Sequence, residues 1–222
     1  MLRHMFERLL CYESDMEILD ELLHRPVSPS GAGMVLTHGA GANCRSALVV
    51  AVAEMVAALG VTVLRYDLPF RQKRPFGPPH PSGALGDQAG LRAAVEALRT
   101  LVSGPVYLGG HSYGGRQATM LAASAPGLVD GLLLLSYPLH PPAKPESLRT
   151  AHFPTLSTRA AFVHGDKDDF GSPEEMRAAL ALIAGETHLQ IVPGAGHDLR
   201  KGKVDVGPSL NWLLGQATLE NQ

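Results

Sequence analysis

Val106-Tyr-Leu-Gly-Gly-His-Ser-Tyr-Gly-Gly-Arg116 is the stretch that decides the fold. Its first three residues make a short apolar run of the kind a buried strand needs. Gly109 and Gly110 stop the run, and from Ser112 onward the chain to residue 123 has helix-forming character. Between strand and helix lies Gly110-His-Ser-Tyr-Gly114, a match to G-x-S-x-G. A serine on so sharp a strand-to-helix turn is forced into a strained backbone conformation with its hydroxyl exposed. Glycine is required at both ends because a side chain there would collide with the neighbouring strand or helix. In a chain with 24 glycines the pentapeptide alone is a modest signal, and an ordinary glycine-rich turn is the competing reading. The strand before it and the helix after it favour a turn that presents a nucleophile.

Around this stretch the composition fits one domain spanning residues 1–222. With 45% apolar and 18% charged residues, the chain can fill a sizeable core, which argues against disorder. A net charge of −2 gives no electrostatic reason to expect nucleic acid or a membrane surface as partner. Two cysteines, Cys11 and Cys44, make no disulfide framework and suit a reducing compartment. Cys44 reads as a packed thiol without a base of its own rather than as a nucleophile. The first ten residues are broken by charges and lack the apolar core of a signal peptide. The apolar region 47–64 is interrupted by Glu54 and Gly60, so it reads as helix then strand, not as a membrane span. A cytoplasmic protein is the expectation.

Residues 1–30 are the least readable part. Residues 16–23 have helical spacing, yet Pro26 and Pro29 follow at once, and the reading preferred is an antiparallel edge strand. Residues 33–37 are a cleaner strand, followed by His38-Gly-Ala-Gly-Ala-Asn43. Residues 46–58 then read as a helix burying Leu48, Val52, Met55, Val56 and Leu59. A strand over 61–66, a proline-rich loop over 67–83 with Arg71, Lys73 and Arg74, and a helix over 85–102 come next. Beyond the opening stretch, strands are expected over 132–135, 160–164 and 188–192. Ser172-Pro-Glu-Glu175 has the pattern of a capping box at a helix start. A last helix is expected over 206–219, docking Trp212, Leu213 and Leu214. Strands alternating with helices mean an α/β fold whose sheet is mostly parallel and doubly wound, flanked by helices.

Reactive groups in such a sheet gather at the carboxyl ends of the strands. There the chain delivers His38-Gly-Ala-Gly41, then Ser112, then Gly165-Asp-Lys-Asp-Asp169, then Gly194-Ala-Gly-His-Asp198. Serine, acid and histidine thus follow one another in that order, each just past a strand. A serine hydroxyl is a poor nucleophile until a base takes its proton. His197 can do so, and a carboxylate behind the imidazole fixes its tautomer and stabilises the imidazolium. The developing oxyanion needs preorganised donors: the backbone N–H of Tyr113 and one from the glycine-rich turn, expected at Ala40. Among ten histidines only His197 follows the acids on a glycine-freed loop. His164 is expected in the core and His188 at the surface. His38 and His111 flank the expected elbow and oxyanion turn as supporting residues. These two, with Arg116 and His140, make up the expected lining of a substrate site. Spacing alone does not separate Asp166, Asp168 and Asp169, since turns use aspartate for structural hydrogen bonds.

The elbow, the His38-Gly-Ala-Gly41 turn and the spacing of the later motifs resemble the α/β-hydrolase superfamily. More narrowly, Tyr137-Pro-Leu-His-Pro-Pro142, followed by Lys144-Pro-Glu146, is similar to a subgroup of small dienelactone-hydrolase-like proteins. That subgroup is related to the testis-expressed and chromatin-complex-associated hydrolase-like proteins of animals. The resemblance runs from about Met34 to the C-terminal helix. It implies that the acid is the aspartate closing a Gly-x-x-Asp turn, Asp168, and that the base is His197. Many relatives insert a helical lid after the sixth strand; the segment 136–153 is too short for one, which implies a shallow pocket roofed by two proline-rich loops. Arg71, Lys73, Arg74 and His140 on those loops suit an anionic ester, although a solvated basic loop is the preferred reading. An arginine at position 116 more often ties its helix to a neighbouring loop.

Two functions of different class are weighed. One is a serine hydrolase that cleaves a small carboxylic ester or thioester, with an amide or peptide bond as a variant. The other is a non-catalytic α/β-hydrolase-like binding or scaffold module. A scaffold has no reason to keep serine, acid and histidine together, so the hydrolase is favoured, with no cofactor or metal and a small-molecule ester as partner.

Overall fold

A computed structural model describes residues 21–202 and 204–215. Within these residues seven strands form one sheet. They are β1 (Leu23–His24), β2 (Gly33–Thr37), β3 (Thr62–Tyr66), β4 (Val106–His111), β5 (Gly131–Leu135), β6 (Ala160–Gly165) and β7 (Thr187–Val192). Their order is β1-β3-β2-β4-β5-β6-β7. Every neighbouring pair from β3 to β7 is parallel, and only β1 runs antiparallel, with Leu23 opposite Leu64. The central strands β2, β4 and β5 are buried along almost their whole length because helices cover both faces.

Six α-helices have both ends within the described residues: α1 (Ala47–Ala58), α2 (Pro69–Lys73), α3 (Ala84–Arg99), α4 (Tyr113–Ser124), α5 (Pro173–Leu180) and α6 (Gly207–Leu213). Alternate residues of each strand point to opposite cores. Val35, Leu108, Leu134 and Phe162 pack with Leu91 and Leu98 of α3, Leu121 of α4 and Met176 of α5. Met34, Leu36, Leu133 and Val163 pack with Val52 and Val56 of α1 and Leu210 and Leu213 of α6. The sheet therefore stands in the middle, with α3, α4 and α5 on one face and α1 and α6 on the other.

Several boundaries differ from expectation. Of the stretch 16–23, residues 16–20 lie outside the described residues; Glu21 and Leu22 are helical, against the strand expected, and only Leu23 and His24 are the antiparallel edge strand. α1 buries Val49, Val52, Ala53 and Val56, while Leu48 and Met55 are half-buried and Leu59 is 39% exposed. Its sequence is apolar on almost every side, so spacing could not fix which face turns inward. The loop over 67–83 holds α2 and a short 3-10 turn, Pro81–Gly83, each with proline in its first turn, where the fixed φ suits a helix start. α6 is described only as Gly207–Leu213, and residues 216–219 of the expected helix lie outside the described residues. His188, expected at the surface, is half-buried and stacks on Trp212 with centroids 5.5 Å apart. The connection from β5 to β6 carries one 3-10 turn, Phe153–Thr155, and no lid helix. The capping box at Ser172 is formed in both directions with Glu175. Among the described residues no helix is long and apolar enough to cross a membrane.

Candidate active site

β4 ends at His111, and the next residue, Ser112, stands at φ 49°, ψ −115°. A non-glycine residue pays for positive φ in steric energy, and the surrounding backbone leaves it no alternative. A Cβ on Gly110 would lie 2.6 Å from the amide nitrogen of Gly115, and one on Gly114 would lie 2.5 Å from the carbonyl oxygen of His38. Both glycines of the pentapeptide are thus dictated by backbone on backbone. Ser112 N–H donates to Leu135 O at 2.9 Å, so β5 holds the turn in place.

Ser112 Oγ lies 2.8 Å from His197 Nε2. On the far side of the ring, His197 Nδ1 lies 3.0 Å from Asp168 Oδ1 and 2.9 Å from Oδ2. The Asp168 side chain is fully buried, and its Oδ1 also accepts the N–H of Phe170 at 2.9 Å. The three aspartates left open by spacing are separated here. Asp166 Oδ1 accepts Gly194 N–H at 2.7 Å, tying the acid turn to the histidine loop, and Asp169 is exposed. Only Asp168 reaches the imidazole.

His197 is held on both faces. Phe170 stacks on it with centroids 4.0 Å apart, and His111 lies tilted against it at 5.4 Å. His111 donates from Nε2 to the His197 carbonyl at 2.9 Å, and burial pushes its imidazole down to about 4, so it is neutral at pH 7. His164 is buried as expected; its Nε2 donates to Gly171 O at 2.7 Å. Its Nδ1 has no hydrogen bond and faces Asp168 Oδ2 at 3.7 Å.

The turn after β2 lies opposite the elbow. Among the described residues neither Ala40 N–H nor Tyr113 N–H has a backbone partner in the turns and loops. What fixes this turn is Arg71, which is 6% exposed. Its guanidinium donates to Ala42 O at 2.8 Å, Ala40 O at 2.7 Å, Gly77 O at 3.1 Å and Arg74 O at 3.2 Å. Arg71 is therefore a buried clamp, not part of a solvated basic loop; Lys73 and Arg74 are exposed. His38 is fully buried beside it, donating from Nδ1 to Gly39 O at 2.8 Å and accepting Leu68 N–H at Nε2. The Tyr113 hydroxyl reaches away from the serine to Asp87 Oδ2 at 2.8 Å, and Asp87 Oδ1 accepts Phe70 N–H. Cys44 is buried and its thiol is pushed up to about 12, chiefly by burial, which leaves no thiolate at neutral pH.

The remaining expected site residues are not all brought together. His140 is 4% exposed, with Nδ1 on Pro141 O at 3.0 Å and Nε2 3.6 Å from Glu175 at the start of α5. His38 and His140 are packed structural groups, sealed from solvent by the turns they hold. Arg116 is half-buried on α4, one helical turn beyond Ser112.

The family model described as an alpha/beta hydrolase domain matches residues 30–218. The chain belongs to this family. Solved structures of the same fold accompany this α/β hydrolase. A dienelactone hydrolase from Anabaena variabilis shares 21% identity at a TM-score of 0.67, covering 86% of this chain and 88% of its own. A serine hydrolase without lid from Xanthomonas campestris shares 20% identity at 0.65, covering 87% and 86%. Est1E from Butyrivibrio proteoclasticus, with ferulic acid bound, shares 17% identity at 0.68, covering 86% and 90%.

Two residues that shape the site, Asp87 and Phe170, escaped the sequence reading, and a third, Arg71, was read as part of a solvated loop. Phe170 follows the acid turn directly, and its position two residues past Asp168 was the available signal. Asp87 and Arg71 carry no such signal, because only the folded chain shows that they are buried.

Proposed function

We propose that this α/β hydrolase is a serine hydrolase that cleaves the carboxylic ester or thioester of a small substrate through an acyl-enzyme on Ser112. The observation that carries the reading is the unbroken relay from Ser112 Oγ to His197 Nε2 and from His197 Nδ1 to buried Asp168. Ser112 Oγ attacks the carbonyl carbon as His197 Nε2 takes its proton. Asp168 keeps the tautomer that leaves Nε2 free to accept, and it stabilises the imidazolium. The carbonyl oxygen becomes an oxyanion received by the N–H groups of Tyr113 and Ala40, which the Arg71 clamp and the elbow hold ready. When the tetrahedral species collapses, the bond to the alcohol or thiol breaks and His197 gives that group its proton. Water, deprotonated by His197, then attacks the acyl-enzyme, and Ser112 regains its proton.

The connection from β5 to β6 lacks a lid helix, which supports a short acyl group over a long one. A pre-steady-state trace with a para-nitrophenyl ester tests the reading. It predicts a burst of one nitrophenolate per chain and an acyl mass adduct on the peptide carrying Ser112. Turnover that persists in Ser112→Ala would overturn it.

A further inference from the structure

Arg116 has no hydrogen bond or ion pair from its guanidinium to any described residue, and its Nε is buried without a partner. It is not the tether to the neighbouring loop that its position suggested. That tie is made one turn later by Thr119, whose hydroxyl donates to Arg116 O at 2.8 Å and accepts from His152 Nε2 at 2.8 Å. The tie joins the segment before β6 to α4, and on that segment Arg149 lies within reach of the Arg116 charge. Arg149 is half-buried, donates from Nη1 to Pro138 O at 3.1 Å, and its carbonyl accepts the Tyr137 hydroxyl at 2.6 Å. The Arg116 charge is felt at Tyr113, Tyr137, Arg149 and His152. Burial, and after it Arg116, lowers the proton affinity of Arg149, and no carboxylate is among the groups acting on it. His152 is neutral at pH 7, held down to about 4 by burial and by Arg116, so it adds no charge of its own.

Two half-buried arginines thus feel each other's charge, and among the described residues neither guanidinium is paired with a carboxylate. Like charges that are poorly solvated repel, and an arginine fork is built to receive a planar anion through paired N–H donors. The first of the two stands one helical turn from Ser112, whose carbonyl accepts Arg116 N–H at 3.0 Å. We propose that Arg116 and Arg149 form an anion subsite beside the nucleophile, which selects esters carrying a second, ionised carboxylate. The proposal rests on the hydrolase reading above and adds the substrate class to it.

The carboxylate can sit on the acyl side or on the leaving alcohol. Mono-para-nitrophenyl glutarate tests the first against para-nitrophenyl butyrate, and para-acetoxybenzoate tests the second against phenyl acetate. The expected result is a higher kcat/KM for at least one anionic ester than for its neutral counterpart. Arg116→Gln and Arg149→Gln should each lower kcat/KM for that ester about ten- to hundredfold, the range for losing a charge-assisted hydrogen bond. They should change neutral-ester turnover by less than about threefold, which also reports that the variants fold, and Arg116→Lys should restore part of the preference. Equal rates for anionic and neutral esters in the wild type, or a preference that survives in both glutamine variants, overturn the proposal. If no ester is turned over, the hydrolase reading falls and glutarate binding decides the subsite. A rise in melting temperature in the wild type that is absent in Arg116→Gln supports it, and no rise in the wild type overturns it.

Discussion

Asp166 and Asp168 stand two residues apart on one turn, yet only the second reaches the imidazole, while the first accepts Gly194 N–H. The difference is measurable. Asp168→Asn should cut turnover of a para-nitrophenyl ester by about 10^4, because the amide no longer fixes the reactive tautomer. Asp166→Asn should stay within about tenfold, since its side-chain oxygen still accepts the same N–H. Equal losses would reverse the assignment. The meeting of Ser112 and His197 was legible from residue order and strand ends alone, because reactive groups in a parallel sheet gather past its strands. The acid was not, because three aspartates on one turn look alike until the side chain that points inward is known. Arg71 was misread for the same reason: a basic residue among prolines looks solvated, and nothing local announces that four carbonyls surround it.

At the scale of elements, two turns would make the oxyanion site in the proposed mechanism, and α2 holds one of them in shape. Arg71→Met leaves the carbonyls of Ala40 and Ala42 without their buried donor. It should lower stability by about 3 kcal/mol. At temperatures well below the melting point it should also lower kcat about ten- to hundredfold, with KM nearly unchanged, because the N–H of Ala40 loses its fixed aim. A variant that loses stability but keeps full kcat would show that the clamp does not position this turn. α2 itself was hidden in the sequence, being five residues long and surrounded by prolines that usually mean loop. The capping box of α5, by contrast, was readable at once, because its two reciprocal hydrogen bonds depend only on residues three apart.

For the whole molecule, alternating strands and helices were enough to give the parallel sheet and its covered faces. They were not enough to orient α1, whose apolar residues surround the helix. Global stability carries its own signature. His111 and His152 are both held neutral in the fold, down to about 4, whereas each titrates near 6.5 when unfolded. Between those values the unfolded chain binds more protons than the folded one. Unfolding free energy should therefore be level above about pH 6.5 and fall as pH drops from there towards about 4. Denaturant titrations across this range should show a shallower fall in a His111→Asn, His152→Asn variant than in the wild type. Identical slopes would mean that other groups govern the acid limb.

The central claim is that Ser112 is an activated nucleophile, and a fluorophosphonate probe tests it most directly. At neutral pH the intact protein should be labelled on the peptide carrying Ser112, and labelling should vanish in Ser112→Ala and drop sharply in His197→Ala. An intact, folded protein that takes up no probe, or a Ser112→Ala variant labelled as well as the wild type, would contradict it.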